Sequence, residues 1–575
     1  MQSPHNSGIQ TRLSGRTPAI VRKWAPYLWL AVLVFTVLFW RLGAPSFWDP
    51  DEAHYAQTTR ELIETGDWLA PQYNQQPFFD KPVFFHVLQA LPMSLLGPTE
   101  LSARLVPALA ALALILVTWW LGKTLVSTNA GFIAAVLLTI SPGVFALSRY
   151  AILDTVFAAW LFGGVSLVTV AALKDRPTLQ YPGYVAIAFA VLTKGPLALA
   201  LCAIAFLLAI AVSEDARRRL LALRWMTGLA IVLAIATPWF VYMLSRFGDD
   251  FVRGYFLNEN LTLFANPPYG NQPGWSFYFR ILAVGLLPWT FLVIGRLVDD
   301  VRGAVEKTRT PDTFEVLLWS WAVAIVGFFT LSAFKLDHYV FPAAPAFCLL
   351  AARGWVDATA RTTDVRKSAA AVGIVLIGPL VLVVGVAAGV LMEVWLDLPV
   401  AALAAPIALI AAGAALTVHT AARKVPRAPW FVASAFGVTY AVMILWIGPA
   451  LEQWKVVPDV ARWVAAHAGA NTEVAAYRLD RWDPALRFYV ARPMISIKNP
   501  DDAKALFKGH RRFYCVMRES EYKALVADGL QLDVVYSRSG MWATSGKALW
   551  RQRGTLTNFV VVTPHRAAPA ADRTL

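Results

Sequence analysis

The residues best suited to chemistry lie in a short polar segment that follows the first long apolar run of the chain. The segment reads Trp48-Asp49-Pro50-Asp51-Glu52-Ala53-His54-Tyr55, which places three carboxylates within four residues. A carboxylate that is withdrawn from water has a raised pKa and can act as a base. The aromatic residues on both sides predict that the acids stay near an apolar surface. We therefore predict Asp51 and Glu52 as catalytic acids, with a solvated acidic loop as the alternative.

A further acid, Asp154, and a lysine, Lys81, are also candidates for the site. Asp154 follows Arg149-Tyr150 and opens a strongly apolar run. An ionisable residue at membrane depth is expected to be functional, although an acid at the start of a helix also interacts favourably with the helix dipole. Lys81, which follows Asp80, can receive a phosphate oxygen as a compact point charge. Its alternative role is to extend its ammonium group into water from an interfacial helix.

Two further segments place a cation between apolar runs. Lys194 lies in Thr193-Lys194-Gly195-Pro196, and a broken helix is tolerated in a membrane where its backbone lines a cavity. Lys335 and Tyr339 lie between two later runs, where their cation and phenol could contact a lipid phosphate. The alternative for these residues is an anchor at the membrane interface.

The segment 245–275 is predicted to be a long external loop, and loops of this length are often functional. The candidate residues in it are Arg253, Tyr255, Asn258 and Tyr269. The alternative is a solvated loop without a functional role.

The composition indicates a polytopic membrane protein. Of 575 residues, 57% are hydrophobic and only 15% are charged, and the mean hydropathy is +0.53. A soluble domain carries about 25% charged residues. The net charge of +14 would also suit nucleic acid, but its distribution along the chain follows membrane topology. The three cysteines are far apart, so neither a disulfide framework nor a metal cluster is predicted.

Runs of about 20 apolar residues, the length that crosses a bilayer, predict thirteen transmembrane helices. They lie at 25–42, 101–122, 130–147, 154–173, 181–193, 196–212, 226–244, 277–295, 314–333, 339–353, 368–391, 398–419 and 430–450. Lys and Arg collect in alternate loops, as expected of the cytoplasmic side. This alternation of basic loops predicts a cytoplasmic tail at residues 1–24, and it predicts that Asp51 and Asp154 lie together on the opposite side of the membrane.

The remaining segments predict helices at the interface and a small α/β domain. Residues 43–100 are predicted to hold two amphipathic helices in the outer interface, the second opened by Pro82. Residues 452–575 alternate short strands with helices and are expected in the periplasm. The predicted strands are 473–477, 494–497, 512–517, 532–536 and 559–563, and the predicted helices are 457–468, 501–507 and 520–528.

These motifs, together with Gly66-Asp67-Trp68, resemble those of the GT-C membrane glycosyltransferases. The most similar branch holds the lipid A aminoarabinose transferases and the protein mannosyltransferases. The resemblance implies a mainly α-helical GT-C catalytic domain over 25–451. It also implies a sugar donor on polyprenyl (undecaprenyl) phosphate and an inverting transfer to an acceptor, lipid A by preference, at the outer face of the bacterial inner membrane.

The resemblance also implies roles for individual residues. Asp51 and Asp154 match the main catalytic-site acids, and Glu52 adjoins them. Lys81 and Tyr339 match the residues that hold the donor phosphate. Lys194 and Lys335 are expected as additional cations from their own positions in the sequence, not from the resemblance. The predicted substrate-positioning residues are His54, Tyr55, Asp80, Arg149 and Tyr269.

Two departures from the aminoarabinose transferases leave the sugar open. Those enzymes commonly have arginine where this chain has His54. They also have glutamate-lysine-proline where it has Asp80-Lys81-Pro82.

Other chemistries receive less support from the sequence. It has no Gly-rich phosphate loop, metalloprotease helix or nucleophile elbow, so nucleotide-dependent or hydrolytic chemistry has no motif. The acids 49–52 could take a divalent metal, but a monophosphate donor weakens that case and no metal is assigned.

The expected partners are the lipid-linked donor, the acceptor and membrane lipid, not nucleic acid. A transporter of lipid-linked sugar, with the same cations along its path, and a membrane scaffold are the rival functions.

Overall fold

The computed structural model describes ten stretches of the chain. They are residues 19–48, 50–266, 273–360, 368–395, 398–421, 429–469, 471–479, 483–509, 513–541 and 556–565. Two candidates from the sequence, Asp49 and Tyr269, lie outside the described residues, as do residues 1–18 of the predicted N-terminal tail.

Helices make up nearly all of the described chain as far as Glu452. The first twelve are α1 Ala19–Leu38, α2 Asp51–Thr65, α3 Phe84–Leu96, α4 Glu100–Leu125, α5 Thr128–Ile140, α6 Pro142–Ser148, α7 Asp154–Leu173, α8 Gln180–Lys194, α9 Leu197–Val212, α10 Glu214–Leu221, α11 Trp225–Phe251 and α12 Leu263–Ala265. The next eight are α13 Phe277–Gly285, α14 Thr290–Val305, α15 Thr313–Leu331, α16 Ala344–Ala360, α17 Ala369–Trp395, α18 Ala404–Ala421, α19 Trp430–Val442 and α20 Gly448–Glu452.

The number of membrane spans is not confirmed as thirteen. Eight helical stretches in the described chain are long and apolar enough to cross a bilayer, or ten if each of two bent pairs counts as one span. Every predicted span contains a helix, but three of them, α1, α8 and α9, do not meet the length and hydropathy expected of a span. The chain between α8 and α9 breaks at Gly195-Pro196, as the sequence predicted.

The prediction of a loop at 245–275 is wrong for most of its length. A π-helical stretch, Val252–Thr262, joins α11 to α12, so the chain is helical from Trp225 to Ala265 except for a kink at Gly248, where φ is 52°. The polar residues of this segment suggested a loop, but Phe251 and Tyr255, four residues apart, bury one of its faces. Both pack against Trp239 of α11, at 5.8 and 6.3 Å between ring centroids. Such packing supports a helix whose other side is polar.

The two predicted interfacial helices are present as α2 and α3. Asp51 and Glu52 form the first turn of α2, where negative charge is favourable. Gly66 ends this helix with a φ of 68°, a left-handed conformation that glycine adopts without strain. The sequence analysis missed a small antiparallel hairpin between the two helices, β1 Gln72–Tyr73 with β2 Gln76–Pro77.

The predicted C-terminal α/β unit is also present. Its helices are α21 Val457–His467, α22 Asp483–Val490, α23 Pro500–Lys508 and α24 Glu519–Ala527, and its strands are β3 Glu473–Tyr477, β4 Ile495–Ile497, β5 Phe513–Arg518, β6 Leu532–Gly540 and β7 Thr557–Pro564. The strand order is β4-β3-β5-β7-β6. Strand β3 is parallel to β4 and β5, and β7 is antiparallel to β5 and β6. The eight-residue α22 was not predicted.

One apolar cluster connects this unit to the acidic segment. Phe47, Ala53 and Ala56 share a buried cluster with Val460 of α21 and Phe488 of α22. The start of α2 and the α/β unit therefore share one continuous core.

Candidate active site

A polar cavity of about 100 Å³ lies where several helix ends meet. Four of the predicted site residues line it, and they come from separate parts of the chain: Asp80, Lys81, Lys194 and Tyr339. Phenylalanine side chains from α15 and the neighbouring segments line its apolar side. The cavity thus combines two lysines, two acids and two tyrosines with an apolar wall. The lysines suit an anionic head group carried on a lipid, and Asp80 and Glu259 offset part of their charge.

Lys81 reaches this cavity from the loop before α3. Its Nζ lies 3.0 Å from Glu259 Oε2 and donates to the carbonyl of Asp80 at 2.8 Å. An ammonium group has three N–H donors, so these two contacts leave one for a ligand. Because Glu259 balances the charge of Lys81, a phosphate that binds Lys81 competes with this carboxylate.

Asp154 and Lys194 form a buried ion pair beside Tyr339. Asp154 is the first residue of α7 and is 4% exposed, and its Oδ1 accepts a hydrogen bond from Lys194 Nζ. Its Oδ2 lies 3.5 Å from His338 Nε2. Lys194 Nζ lies 4.3 Å from the centroid of the Tyr339 ring, a cation–π contact. Asp154 therefore holds Lys194 and His338 in place around the phenol.

Gly195 permits a close approach behind Lys194. It has a φ of 83°, and a Cβ at this position would collide with the hydroxyl of Tyr255. Tyr255 lines the cavity and is 1% exposed. The break after α8 therefore lets a tyrosine from the π-helical stretch reach the cavity beside Lys194.

Tyr55 connects Asp51 to this group of residues. Burial holds the pKa of the Tyr55 phenol well above its usual range, and the carboxylates of Asp154, Asp51 and Asp80 act in the same direction. The three acids thus lie around one phenol that stays protonated at neutral pH. Burial also raises the pKa of Asp80.

His54 is neutral at physiological pH. Burial lowers its pKa to about 4, and its ring packs against Tyr73 and Phe78 at 4.1 and 5.3 Å between centroids. A neutral imidazole at this position adds no positive charge to the donor site.

The structure does not bring Glu52 to the cavity. Its side chain is fully buried and forms a two-point ion pair with Arg104, at 2.7 and 2.8 Å. It also accepts the backbone N–H groups of Trp48 and Ala151, at 2.9 and 2.8 Å. Glu52 therefore joins α2, α4 and the start of α7, which positions Asp51 and Asp154 relative to each other.

Arg149 and Lys335 are not among the residues that line the cavity. Arg149 donates to the carbonyls of Val37 and Trp40, at 3.3 and 3.0 Å, and so ties down the end of α1. Lys335 donates to the carbonyl of Ser332 and is not among the residues that line the cavity.

Sequence reasoning missed Glu259 and Arg104. Glu259 lies four residues after Tyr255, a helical spacing that the loop interpretation concealed. Arg104 is a charged residue inside an apolar helix, and such a residue usually pairs with another charge.

The described residues contain no group of three or more His, Cys, Asp or Glu side chains that could hold a metal ion. Glu52, proposed from the sequence as a possible ligand, has its oxygens engaged by Arg104 and two backbone N–H groups. The donor set at Glu52 therefore does not fit a divalent cation.

An apolar groove of about 890 Å³ runs beside the site. Helices α3, α4, α7 and α8 form it, with Leu91, Leu109, Val156, Trp160 and Ala186 among its lining residues. Helices α7 and α8 also carry Asp154 and Lys194, so the groove and the ion pair share two helices.

Comparisons with known proteins agree with this geometry. The profile of the family described as dolichyl-phosphate-mannose-protein mannosyltransferase matches residues 28–248. Undecaprenyl phosphate-alpha-4-amino-4-deoxy-L-arabinose arabinosyl transferase from Edwardsiella ictaluri is 30% identical over 333 residues, which is 56% of this chain and 58% of that protein. A relative of the same name from Sodalis glossinidius is 32% identical over 341 residues, 57% of this chain and 59% of that protein. The match thus covers less than two thirds of either relative.

The solved structures decide the fold. ArnT from Cupriavidus metallidurans bound to undecaprenyl phosphate has a TM-score of 0.72 at 20% identity, over 96% of this chain and all of that one. The chain has the GT-C glycosyltransferase fold. An oligosaccharyltransferase from Archaeoglobus fulgidus, tethered to an acceptor peptide, is a more distant GT-C neighbour, with a TM-score of 0.50 at 13% identity over 88% of this chain and 71% of that one. The resemblance to GT-C enzymes inferred from the motifs is confirmed.

Proposed function

We propose that the protein is a glycosyltransferase that moves a sugar from undecaprenyl phosphate to lipid A, an aminoarabinose-type transfer. The observation that carries this proposal is the meeting of Lys81, Lys194 and Tyr339 in one cavity of a GT-C fold. Relatives that are 30–32% identical are named for transfer of 4-amino-4-deoxy-L-arabinose from undecaprenyl phosphate, and this supports the choice of donor.

The donor phosphate binds at Lys81 and Tyr339. The ammonium of Lys81 and the phenol of Tyr339 donate to phosphate oxygens, and Lys194 adds positive charge behind the Tyr339 ring. Donors fixed in advance around a leaving group stabilise the charge that develops on it. Glu259 releases Lys81 when the phosphate enters, because both anions compete for the same ammonium group.

The transfer is a direct displacement at the anomeric carbon. The bond from this carbon to the phosphate oxygen breaks, and its electron pair leaves with the polyprenyl phosphate. An oxygen of the acceptor forms the new bond on the opposite face, which inverts the configuration. If the acceptor is a hydroxyl, Asp51 takes its proton; if it is a lipid A phosphate, no proton is lost and Asp51 orients the sugar. Asp154 keeps Lys194 and His338 in position.

The apolar groove accommodates lipid chains. Its lining from α3, α4, α7 and α8 is almost entirely apolar, and α7 and α8 also carry Asp154 and Lys194. A polyprenyl chain in this groove would bring its phosphate towards the cavity.

The site faces the periplasm, in a multi-pass protein of the bacterial inner membrane. The support is the collection of Lys and Arg in alternate loops on the other side, as expected of cytoplasmic loops. The domain boundaries proposed from the sequence, a catalytic domain to residue 451 and an α/β domain from 452, follow the change from helices to sheet.

A protein hydroxyl is the second candidate acceptor, with the same chemistry. It is favoured by the match of residues 28–248 to a family described as protein mannosyltransferases. In that reaction Asp51 is needed as a base.

Mass spectrometry of lipid A and envelope glycans tests the proposal. Cells with the protein, without it and with Asp51→Asn are compared. We expect a pentose-sized mass on lipid A that is absent with the variant. A mass change found only on protein or polysaccharide would mean that the acceptor is that molecule and not lipid A. Unchanged glycans, with lipid-linked sugar accumulating on one leaflet, would contradict the proposal in favour of a transporter.

A further inference from the structure

The C-terminal α/β unit contacts the segment that leads into Asp51. Residues 46–48 directly precede the turn that starts α2. Lys455 Nζ donates to the carbonyl of Ser46 at 2.8 Å and to its hydroxyl at 3.1 Å. The same ammonium lies 3.8 Å from the centroid of the Trp48 ring. It also donates to the carbonyl of Phe47 at 3.4 Å, so one lysine from the start of the unit contacts all three residues of the segment.

Tyr489 of α22 adds a second attachment. Its hydroxyl accepts the backbone N–H of Phe47 at 2.8 Å and donates to Glu100 Oε1 at 2.8 Å. The neighbouring Phe488 packs on the Phe47 ring, with 4.8 Å between centroids. This hydroxyl therefore links the α/β unit to residues 46–48 and to the first turn of α4.

Arg104 holds the same segment from the membrane side. It donates to the carbonyls of Pro45 and Ser46, at 2.7 and 3.1 Å, while pairing with Glu52. Residues 45–48 thus lie between Arg104 on one side and Lys455 and Tyr489 on the other.

The contact between the α/β unit and residues 46–48 is buried. Lys455 is 4% exposed and Phe47 is 2% exposed. A buried ammonium group is costly unless its hydrogen bonds are satisfied, and the segment supplies acceptors beside the carboxylate of Glu452, which lies 3.2 Å away. The unit and the segment are therefore expected to keep one relative position.

We infer that Lys455 and Tyr489 are positioning residues of the transferase site. They hold the backbone of 46–48 and thereby the first turn of α2, which begins at Asp51. This inference rests on the proposed function and assigns the α/β unit a role in catalysis. A displacement of about 1 Å at a reacting group can lower a rate about 100-fold, so even a small loosening of this segment should reduce turnover.

The test compares Tyr489→Phe and Lys455→Gln with matched controls in the same unit. The controls are Tyr477→Phe, a buried tyrosine of β3 in a different apolar cluster, and Lys504→Gln, which pairs with Asp528. Each full-length protein is assayed in lipid nanodiscs for kcat and for KM of the lipid-linked donor. Hydrogen–deuterium exchange at the Phe47 and Trp48 amides and the melting temperature are measured on the same samples.

We expect kcat to fall about 10- to 100-fold in Tyr489→Phe and Lys455→Gln. The donor KM should stay within about twofold, because Lys81 and Tyr339 are carried by other segments. The Phe47 amide should exchange faster in Tyr489→Phe, and both controls should match the wild type. If Lys455→Gln does not fold, Tyr489→Phe decides the result.

Two results would overturn the inference. Full turnover of both folded variants beside an active wild type refutes the positioning role and leaves the proposed function intact. A parallel loss of kcat, donor binding and melting temperature indicates a structural role only. If the wild type itself transfers no sugar, the proposed function fails and the inference fails with it.

Discussion

At the scale of single residues, the donor site depends on which lysine faces the cavity. Lys81 lines the cavity and contacts Glu259, whereas Lys335 is not among the lining residues and donates to the carbonyl of Ser332. The sequence suggested both as phosphate ligands. The geometry separates them, so the two lysines form a matched pair for mutagenesis.

Replacing Lys81 by glutamine should weaken the binding of undecaprenyl phosphate to the purified protein about 10- to 100-fold. A hydrogen bond to a charged group contributes about 1.5–3 kcal/mol, and each 1.4 kcal/mol is about tenfold in affinity. Lys335→Gln should change the affinity less than about twofold. Glu259→Gln should tighten binding, since it removes the competing carboxylate. Equal losses in the two lysine variants would refute this assignment of the phosphate site.

The lowered pKa of His54 predicts how the stability of the folded protein depends on pH. Its pKa in the folded protein is about 4, below its ordinary value of 6.5. The unfolded chain therefore binds a proton near pH 6.5 that the folded protein does not accept until about pH 4. Stability falls as the pH drops through this window, because the unfolded state binds more protons there.

Thermal unfolding in detergent at pH 7.5 and pH 5 measures this contribution. Between pH 7.5 and pH 5, the melting temperature of His54→Asn should fall less than that of the wild type. His467→Asn, at an exposed position of α21, should behave like the wild type. A wild-type-like loss in His54→Asn would contradict the prediction.

At the scale of elements, the break between α8 and α9 shapes the cavity. Gly195→Ala should lower both melting temperature and activity, because alanine disfavours a φ of 83° and its Cβ would collide with Tyr255. Adding Tyr255→Phe should restore part of the stability by removing the hydroxyl. Gly327→Ala in α15, where a Cβ meets nothing within 4 Å, is the control and should be neutral or stabilising. A stable, active Gly195→Ala protein would show that the close approach is not required.

The ion pair of Glu52 and Arg104 connects α2 to α4. Glu52→Gln leaves a buried guanidinium without its partner, which typically costs about 3–5 kcal/mol. We expect a large loss of folded protein on detergent extraction. Glu64→Gln removes an exposed partner of Arg60 within α2 and should cost about 0.5 kcal/mol or less. Similar yields of the two variants would contradict a structural role for Glu52.

At the scale of the whole molecule, local patterns predicted much of the fold. The interfacial helices α2 and α3, the break at Gly195-Pro196 and the five strands of the α/β unit follow from periodicity and turn residues close in sequence. The segment 245–275 was predicted wrongly because its buried face depends on Trp239 and on the helices around it. The span count is unconfirmed because α8 and α9, with 15 and 16 residues, are shorter than the helix of about 20 residues that crosses a bilayer.

The candidate site was predictable only in part for the same reason. Lys81, Lys194 and Tyr339 were found through their motifs, and the structure brings them to one cavity. Glu52 was grouped with the catalytic acids because it adjoins Asp51. Its partners are Arg104, 52 residues away, and Ala151, 99 residues away. Such long-range pairing carries no local signal.

Reconstituted transfer tests the central claim most directly. The purified protein in nanodiscs is given undecaprenyl-phosphate-linked 4-amino-4-deoxy-L-arabinose and lipid A, and both products are quantified over time. We predict that undecaprenyl phosphate and modified lipid A appear in equal amounts, that Asp51→Asn and Lys81→Gln suppress both, and that Lys335→Gln suppresses neither. A donor that stays uncleaved, or that is cleaved without sugar reaching lipid A, would contradict the account.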